Sequence, residues 1–241
     1  VLFRQRSRRP PGTLVHRIAI VLRWPIGLLT VMWRYMWRTT PIHRSECDGD
    51  VHDLPPPVPP EVLDDDVQPV EDGVGPMFRR RYSVRVEGAT KRPAEVMATF
   101  AGDPNCSAPG EVAVFLKTRG RPGAMTAGDE FLIRIPGPWD GPVRVIDRTP
   151  TSFRLATLRG HLEAGQIEFG CCPDGDWLVF EIDSCARSGD RFSHLLYSWL
   201  GLAKEIQLNL WVETCLRLAA RTGGRVRGGV QVQTRRLSEP W

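Results

Sequence analysis

The first 45 residues contain no aspartate or glutamate, and residues 46–72 contain no lysine or arginine. The first stretch carries nine arginines and the second ten carboxylates, so the formal charge of +4 averages unlike segments and says little about partners. The six cysteines form no C-x-x-C pair and have no histidines at zinc-finger spacing. That excludes the common zinc modules and favours reduced thiols over a disulfide framework. Cys171 and Cys172 are adjacent, so on a strand they face opposite ways. No nucleophile elbow, Ser-His-Asp order, phosphate-binding loop or dinucleotide fingerprint occurs. Trp33, Arg34, Tyr35 and Met36 follow the N-terminal apolar stretch where a secretory cleavage site would need small residues. A cytoplasmic chain is the expectation.

What is present at the N-terminus is a basic amphipathic pattern. His16, Arg23, Gly27, Thr30, Arg34 and Arg38 fall on one stripe of a 3.6-residue period, opposite Ile18, Val21, Leu22, Leu28, Leu29, Met32, Trp33 and Met36. Trp24, Trp33, Tyr35 and Trp37 supply rings of the kind that settle at lipid headgroup depth. Arg23, Arg34 and Arg38 can lay their stems on apolar neighbours and pair with anionic lipid. The longest uncharged run here, Trp24 to Trp33, has ten residues, which is short for crossing a bilayer. Residues 1–45 are therefore expected to lie in the plane of a membrane surface, peripheral to its inner face. The alternatives are a spanning or re-entrant helix and a helix docked on protein. Nucleic acid would be drawn by the arginines but gains nothing from the apolar side.

Residues 46–75 read as an acidic, proline-rich linker. Pro55, Pro56, Pro57, Pro59 and Pro60 favour an extended spacer, and three consecutive aspartates keep the rest open. Residues 223–241 read as a flexible basic tail, whose Gly223-Gly-Arg-Val-Arg-Gly-Gly229 run gives only a weak hint of RNA binding.

Between them, residues 76–222 carry the patterns of a single core. Tyr82, Val84 and Val86 alternate with polar residues, as in a half-buried strand. Pro93 to Phe100 reads as a short helix with Pro93 in its first turn. Strand patterns follow at 112–116, 131–135, 142–147, 152–158, 164–171 and 177–183, separated by turns short enough for antiparallel hairpins. A helical period then runs from Asp190, the expected N-cap, to Gly223-Gly224. Leu196, Leu200, Ala203, Ile206, Leu210 and Thr214 form its sheet-facing stripe, with Lys204, Glu205, Glu213 and Arg217 toward solvent. The fold class expected is α+β: a curved antiparallel sheet wrapped around a long C-terminal helix, the START-like helix-grip order of elements.

Two stretches, Gly160-His-Leu-Glu-Ala-Gly-Gln-Ile-Glu-Phe169 and Phe180-Glu-Ile-Asp-Ser-Cys-Ala-Arg-Ser-Gly-Asp190, resemble the signatures of the uncharacterised UPF0548 (DUF1990-type) family. Residues 129–140 and the Gly201-Leu-Ala-Lys-Glu-Ile-Gln207 segment are similar to it as well. The resemblance covers about residues 77–222 and, at the level of fold, implies the START-like (SRPBCC) helix-grip superfamily. It implies no catalytic residues and no cofactor.

Candidate chemistry is sparse. His161, Glu163 and Glu168 form the densest polar cluster, and Glu168 is a general acid or base only if its face lines a cavity. Otherwise it is an outer-face carboxylate. Glu181 and Asp183 share a strand face near Arg187, which suits either an ion pair or an anchor for a ligand headgroup. Trp139, Phe153, Phe169, Trp177, Phe180, Trp199 and Trp211 either fill the core or line a pocket, with His161 and Arg187 as polar contacts for a ligand. No metal site is expected, because these carboxylates and His161 lack ligand spacing. The function expected is a membrane-associated binding protein for a hydrophobic or amphiphilic, lipid-like small molecule. The alternatives are a cyclase- or hydratase-type enzyme using Glu168, Glu181 or Asp183, and an interaction module that takes no ligand.

Overall fold

The computed structural model describes residues 40–110, 112–135, 140–189 and 201–238, with backbone alone over 201–206. The expected membrane contacts Arg23, Trp24, Trp33, Arg34, Tyr35, Trp37 and Arg38 lie outside the described residues, as do Trp139, Asp190 and Trp199. Among the described residues no helix is long and apolar enough to cross a membrane.

The strands run β1 (Ile42–Asp48), β2 (Val74–Glu87), β3 (Val114–Arg119), β4 (Glu130–Arg134), β5 (Asp140–Arg148), β6 (Ser152–Thr157), β7 (Glu163–Asp174), β8 (Trp177–Ser188) and β9 (Arg225–Leu237). They form one nine-stranded sheet in the order β1-β9-β2-β8-β7-β6-β5-β4-β3. Among the described residues two α-helices accompany it, α1 (Pro93–Gly102) and α2 (Gly201–Ala220). The architecture is mixed α+β, one large sheet with helices packed on its inner face.

Strand parity sorts the side chains into two faces. The inner face, toward the helices, collects Tyr82, Val84 and Val86 of β2, Phe153 and Leu155 of β6, Phe169 and Cys171 of β7, and Phe180 and Ile182 of β8. These pack with Phe100 of α1 and with Leu210, Trp211, Cys215 and Leu218 of α2. Pro93 begins α1, and the Glu95 carboxylate accepts from the Arg92 backbone N–H at 2.8 Å, which satisfies a donor that the helix leaves open. Cys171 is buried and Cys172 exposed, the opposed arrangement that adjacent strand residues require.

Three expectations are corrected. First, α2 is not the last element, because the chain turns at Thr222 and Gly223 and returns as β9, thirteen residues long. Gly223 takes a φ of +78°, and Thr222 accepts from the Thr90 backbone N–H at 2.9 Å, closing the helix end against the β2–α1 turn. The supposed tail is thus a strand between β1 and β2, parallel to β1 and antiparallel to β2. Gly229 is required where β1 enters, since a Cβ there would meet the Pro41 carbonyl at 2.2 Å. Second, the boundary drawn at residue 45 cuts through β1. Third, Glu213 and Arg217 do not form an open solvent side. They pair at 2.9 Å while half-buried, and Arg217 also donates to the Ala108 carbonyl at 3.3 Å, because residues 104–110 lie against that side of α2.

The proline-rich segment is not a free spacer either. Residues 50–73 form a strap across the outer face of the sheet. Val58, Val62 and Val67 pack on Ile146, Ala156 and Leu158, while Leu54 and Val70 pack with Met77, Cys185 and Leu237. Prolines have no backbone donor, so the strap is bound through its carbonyls. Arg154 and Gln166 both donate to Pro56 O, at 3.3 and 3.0 Å, and Arg144 donates to Val62 O at 3.1 Å. Farther along, Gln68 donates to Thr157 O at 2.8 Å and accepts from the Gly165 N–H at 3.1 Å. Arg144, 4% exposed, is the main clamp, since it also pairs with Asp64 and Glu130, each at 2.7 Å. Arg144→Ala leaves Glu130 only its longer pair with Arg119, at 3.4 Å, and releases the strap, so urea unfolding should show a loss of about 2 kcal/mol, below the cost of breaking a fully buried pair because both carboxylates reach solvent.

Candidate ligand-binding site

The carboxylates suspected of chemistry are all on the wrong side for an enclosed reaction. Glu168 pairs in register with Asp183, and both point away from Phe169 and Ile182. Asp183 instead joins Arg79 at 2.7 Å and Arg81 at 2.9 Å. That network continues through Asp53, which lies 3.6 Å from Arg79 and 3.3 Å from Arg235 and so pins the strap to β9. Glu181 shares this outer face by parity. Arg187 does not pair with either carboxylate in the way its position suggested. Its Nε donates to Gly75 O at 2.8 Å, beside the end of the strap.

The aromatic residues divide. Phe153, Phe169, Phe180 and Trp211 converge with Phe100 on the inner face. Phe153 stacks on Phe169 at 4.9 Å, Phe100 meets Phe169 at 5.5 Å and Phe180 at 6.3 Å, and Trp211 meets Phe169 edge-on at 5.5 Å. These tilted and edge contacts are packing of the favourable kind. Trp177 is separate, lying on the outer face under the Arg85 guanidinium at 5.5 Å.

At the other end of the inner face four polar side chains from different elements form an array. His161 lies in the β6–β7 turn, where its backbone N–H donates to Leu158 O at 3.0 Å. Its Nδ1 lies 2.9 Å from the Glu163 backbone N–H and 3.1 Å from the Glu163 carbonyl, so the ring accepts from the one or donates to the other according to its tautomer. The ring rests over Gly141 of β5, where a Cβ would come within 3.0 Å of Nε2. Glu163 opens β7 on the Phe169 side, and its carboxylate accepts from Gln207 Nε2 at 3.2 Å. Gln207 Oε1 in turn accepts from Arg80 at 3.2 Å, and the Arg80 guanidinium stands 5.0 Å from the Phe78 ring. Sequence reasoning does not single out Arg80 or Gln207. The signals were there: Arg80 extends the inward parity of Tyr82, and Gln207 lies one helical turn before Trp211 on the same helix face.

Two features give the site its chemistry. The Trp211 indole N–H is buried, in a residue 6% exposed, and has no hydrogen-bond acceptor among the described residues. An unmet donor in such a place costs about 1–3 kcal/mol, so its presence asks for an occupant. Burial pushes the His161 pKa below its ordinary value, opposed by the nearby Glu163 carboxylate. Burial thus favours the neutral ring. Burial also pushes the Cys171 and Cys185 thiols up to about 12 and raises that of Cys215, which removes all three as nucleophiles near neutral pH.

The His161 shift has a sign that can be checked. An unfolded chain takes up its proton near pH 6.5, while the folded ring stays neutral to lower pH. The contribution to stability is complete above pH 6.5 and declines as pH falls toward the lowered folded value. Urea unfolding between pH 6.5 and 5 should show a slope of up to about 1.4 kcal/mol per pH unit that His161→Gln flattens. Identical slopes for both proteins would contradict the assignment.

No family model matches the chain, and no curated protein sequence matches it, so the UPF0548 resemblance rests on the sequence stretches that carry it. Solved structures with a similar outline include the di-domain ARO/CYC StfQ of the steffimycin biosynthetic pathway, at 14% identity over 64% of this chain, with a TM-score of 0.45. This chain spans 51% of that protein, about half its length. Norcoclaurine synthase from Thalictrum flavum, solved with dopamine and hydroxybenzaldehyde, is 10% identical over 63% of this chain and 88% of its own, with a TM-score of 0.42. Major latex-like protein 151 from Panax ginseng is 14% identical over 60% of this chain and 98% of its own, with a TM-score of 0.36. Likeness at this level concerns the path of the chain and assigns neither ligand nor activity.

Proposed function

We propose that this chain is a binding protein for a hydrophobic or amphiphilic small molecule, taken up between α2 and the inner face of the sheet, and held at a membrane surface by residues 1–45. The observation that carries the binding reading is the Trp211 indole N–H, buried beside Phe169 with no acceptor among the described residues. A ligand that brings one oxygen acceptor into an otherwise apolar interior satisfies that donor and gains from burial at the same time. The polar array of His161, Glu163, Gln207 and Arg80 lies toward the same face of α2 and would hold the polar end of an amphiphile.

An enzyme using Glu168, Glu181 or Asp183 is disfavoured, because those carboxylates lie on the strap side of the sheet. A ligand-free interaction module leaves Trp211 unexplained. Gentle purification of the full chain followed by organic extraction and mass spectrometry tests the binding reading. A stoichiometric lipophilic compound is expected, reduced in Trp211→Phe; consistent absence of any extractable compound contradicts it.

The membrane part of the proposal stands on the arginine and tryptophan pattern alone. Flotation with phosphatidylglycerol vesicles should carry the full chain at low salt and leave a chain lacking residues 1–39 behind. Equal flotation of both would remove it.

A further inference from the structure

We propose that the outer edge of β1 pairs antiparallel with the same edge of a second copy of this chain, joining two sheets across a two-fold axis at Ser45. The sheet ends in β1 on one side and β3 on the other, and the two edges are built differently. On β3 the Asn105 side chain occupies the outward backbone groups of Phe115, accepting from its N–H at 2.7 Å and donating to its carbonyl at 2.9 Å. A strand arriving at that edge finds these groups already taken. On β1, Val230 N–H donates to Pro41 O at 3.0 Å and Gly49 N–H donates to Arg236 O at 2.9 Å, which sets the odd positions against β9. Ile42, Arg44, Glu46 and Asp48 therefore turn their backbone groups away from the sheet. Among the described residues no strand lies on that side of β1, and residues 43–48 are exposed.

Charge selects both the occupant and the register. Only even positions can exchange backbone bonds across this edge, so a two-fold pairing near the middle of β1 centres on Arg44, Ser45 or Glu46. Centring on Arg44 or Glu46 sets two arginines or two glutamates directly opposite each other. Centring on Ser45 sets Arg44 of each copy opposite Glu46 of the other, twice by symmetry. Opposite charges in such cross-strand positions stabilise a pairing and like charges oppose it. The alternation that repels the other registers therefore favours this one. A strand of seven residues buries less surface than a standard interface, so the dimer is weak, with a Kd on the order of 10–100 µM. The pairing is independent of the binding reading above.

Sedimentation velocity of the full chain, over concentrations spanning that range, should show a monomer–dimer equilibrium. Arg44→Glu and Glu46→Arg should each weaken the dimer about tenfold, since each sets like charges opposite in both pairs. An equal mixture of the two variants should recover the wild-type affinity, because the opposed pairs return in the mixed dimer. A monomer at every concentration overturns the proposal and leaves the edge to a foreign strand. A dimer whose affinity ignores both reversals, or is not recovered by mixing, overturns it as well. A cysteine at the axis gives a second reading should the charge variants fail to fold. There the two Cα atoms form a non-hydrogen-bonded pair about 4.5 Å apart, within reach of a disulfide. In a Cys47→Ser background, Ser45→Cys should be linked into dimers by copper–phenanthroline, while Cys47→Ser alone stays unlinked. Equal linking of the two proteins contradicts the register.

Discussion

A chain cut to residues 76–222 will show no cooperative urea transition, whereas the full chain will unfold in one. The cut removes β9, which hydrogen-bonds to β2 from Met77 to Glu87, and so exposes an edge in what is the interior of the sheet. It also removes the strap. Val67, Val70, Val230, Val232 and Leu237 are each at most 3% exposed in the whole fold, and all are lost or uncovered together. At about 1.5–3 kcal/mol per buried aliphatic side chain, five of them match or exceed the net stability of an ordinary domain, about 5–15 kcal/mol. Arg144 and Arg154 would meanwhile face water over bare apolar surface. A cooperative transition for the fragment, at a midpoint near that of the full chain, would mean that strap and β9 are ornaments on a self-sufficient core.

The second large effect is expected from Phe169→Ala. Phe169 is fully buried and touches Phe100, Phe153 and Trp211 at once, so its loss leaves a void that no single neighbour can fill. A destabilisation of about 4 kcal/mol is expected in urea titration. The same variant separates packing from function. Phe169 lies in a cluster satisfied by its own contacts, so its removal weakens the fold and enlarges the interior. Trp211→Phe, by contrast, deletes an unmet donor at small cost in packing and should weaken ligand uptake more than stability. A Phe169→Ala protein as stable as wild type would show that the rings line open space instead of filling it.

Much of the sheet was legible because its strands keep period two. Tyr82-Val84-Val86 and Phe153-Leu155 announce their faces, and the hairpin turns between β4 and β8 are short. What misled lay at the two ends. Residues 54–67 hold too few apolar side chains to build a core, and that reading of composition is correct. The strap nevertheless stays ordered because it docks on a patch supplied by β5 and β6, through proline carbonyls that arginine can reach. Arg144 and Arg154, at outer positions of these strands, were the only trace of this, and an arginine on a strand's outer face ordinarily means solvent. In the tail, Gly228-Gly229 drew attention from the alternation Val230-Gln-Val232-Gln-Thr234 that follows. The glycines are a bulge that shifts the register against Val84 and Arg85, and not a flexible tract.

The site was partly legible. Trp211 packs beside Phe169 on the inner face, which Phe153 and Phe180 share, and His161 sits over Gly141. Trp177 and Arg187 belong to the outer side, as do Glu168, Glu181 and Asp183. Parity placed Glu168 opposite Phe169 from the sequence alone, but the sequence had no means of saying which face the helix would cover. Once Phe169 is known to face α2, the outer position of all three carboxylates follows from counting residues along β7 and β8.

The claim on which the functional account depends is that a ligand oxygen meets the buried indole of Trp211. The most direct measurement is the nitrogen–proton resonance of that indole in the full chain, assigned by its disappearance in Trp211→Phe, during titration with 2-acetylnaphthalene. The account predicts a downfield shift that saturates with binding, while the Trp177 indole on the opposite face stays in place. Saturable binding of the probe with an unmoved Trp211 resonance would contradict it.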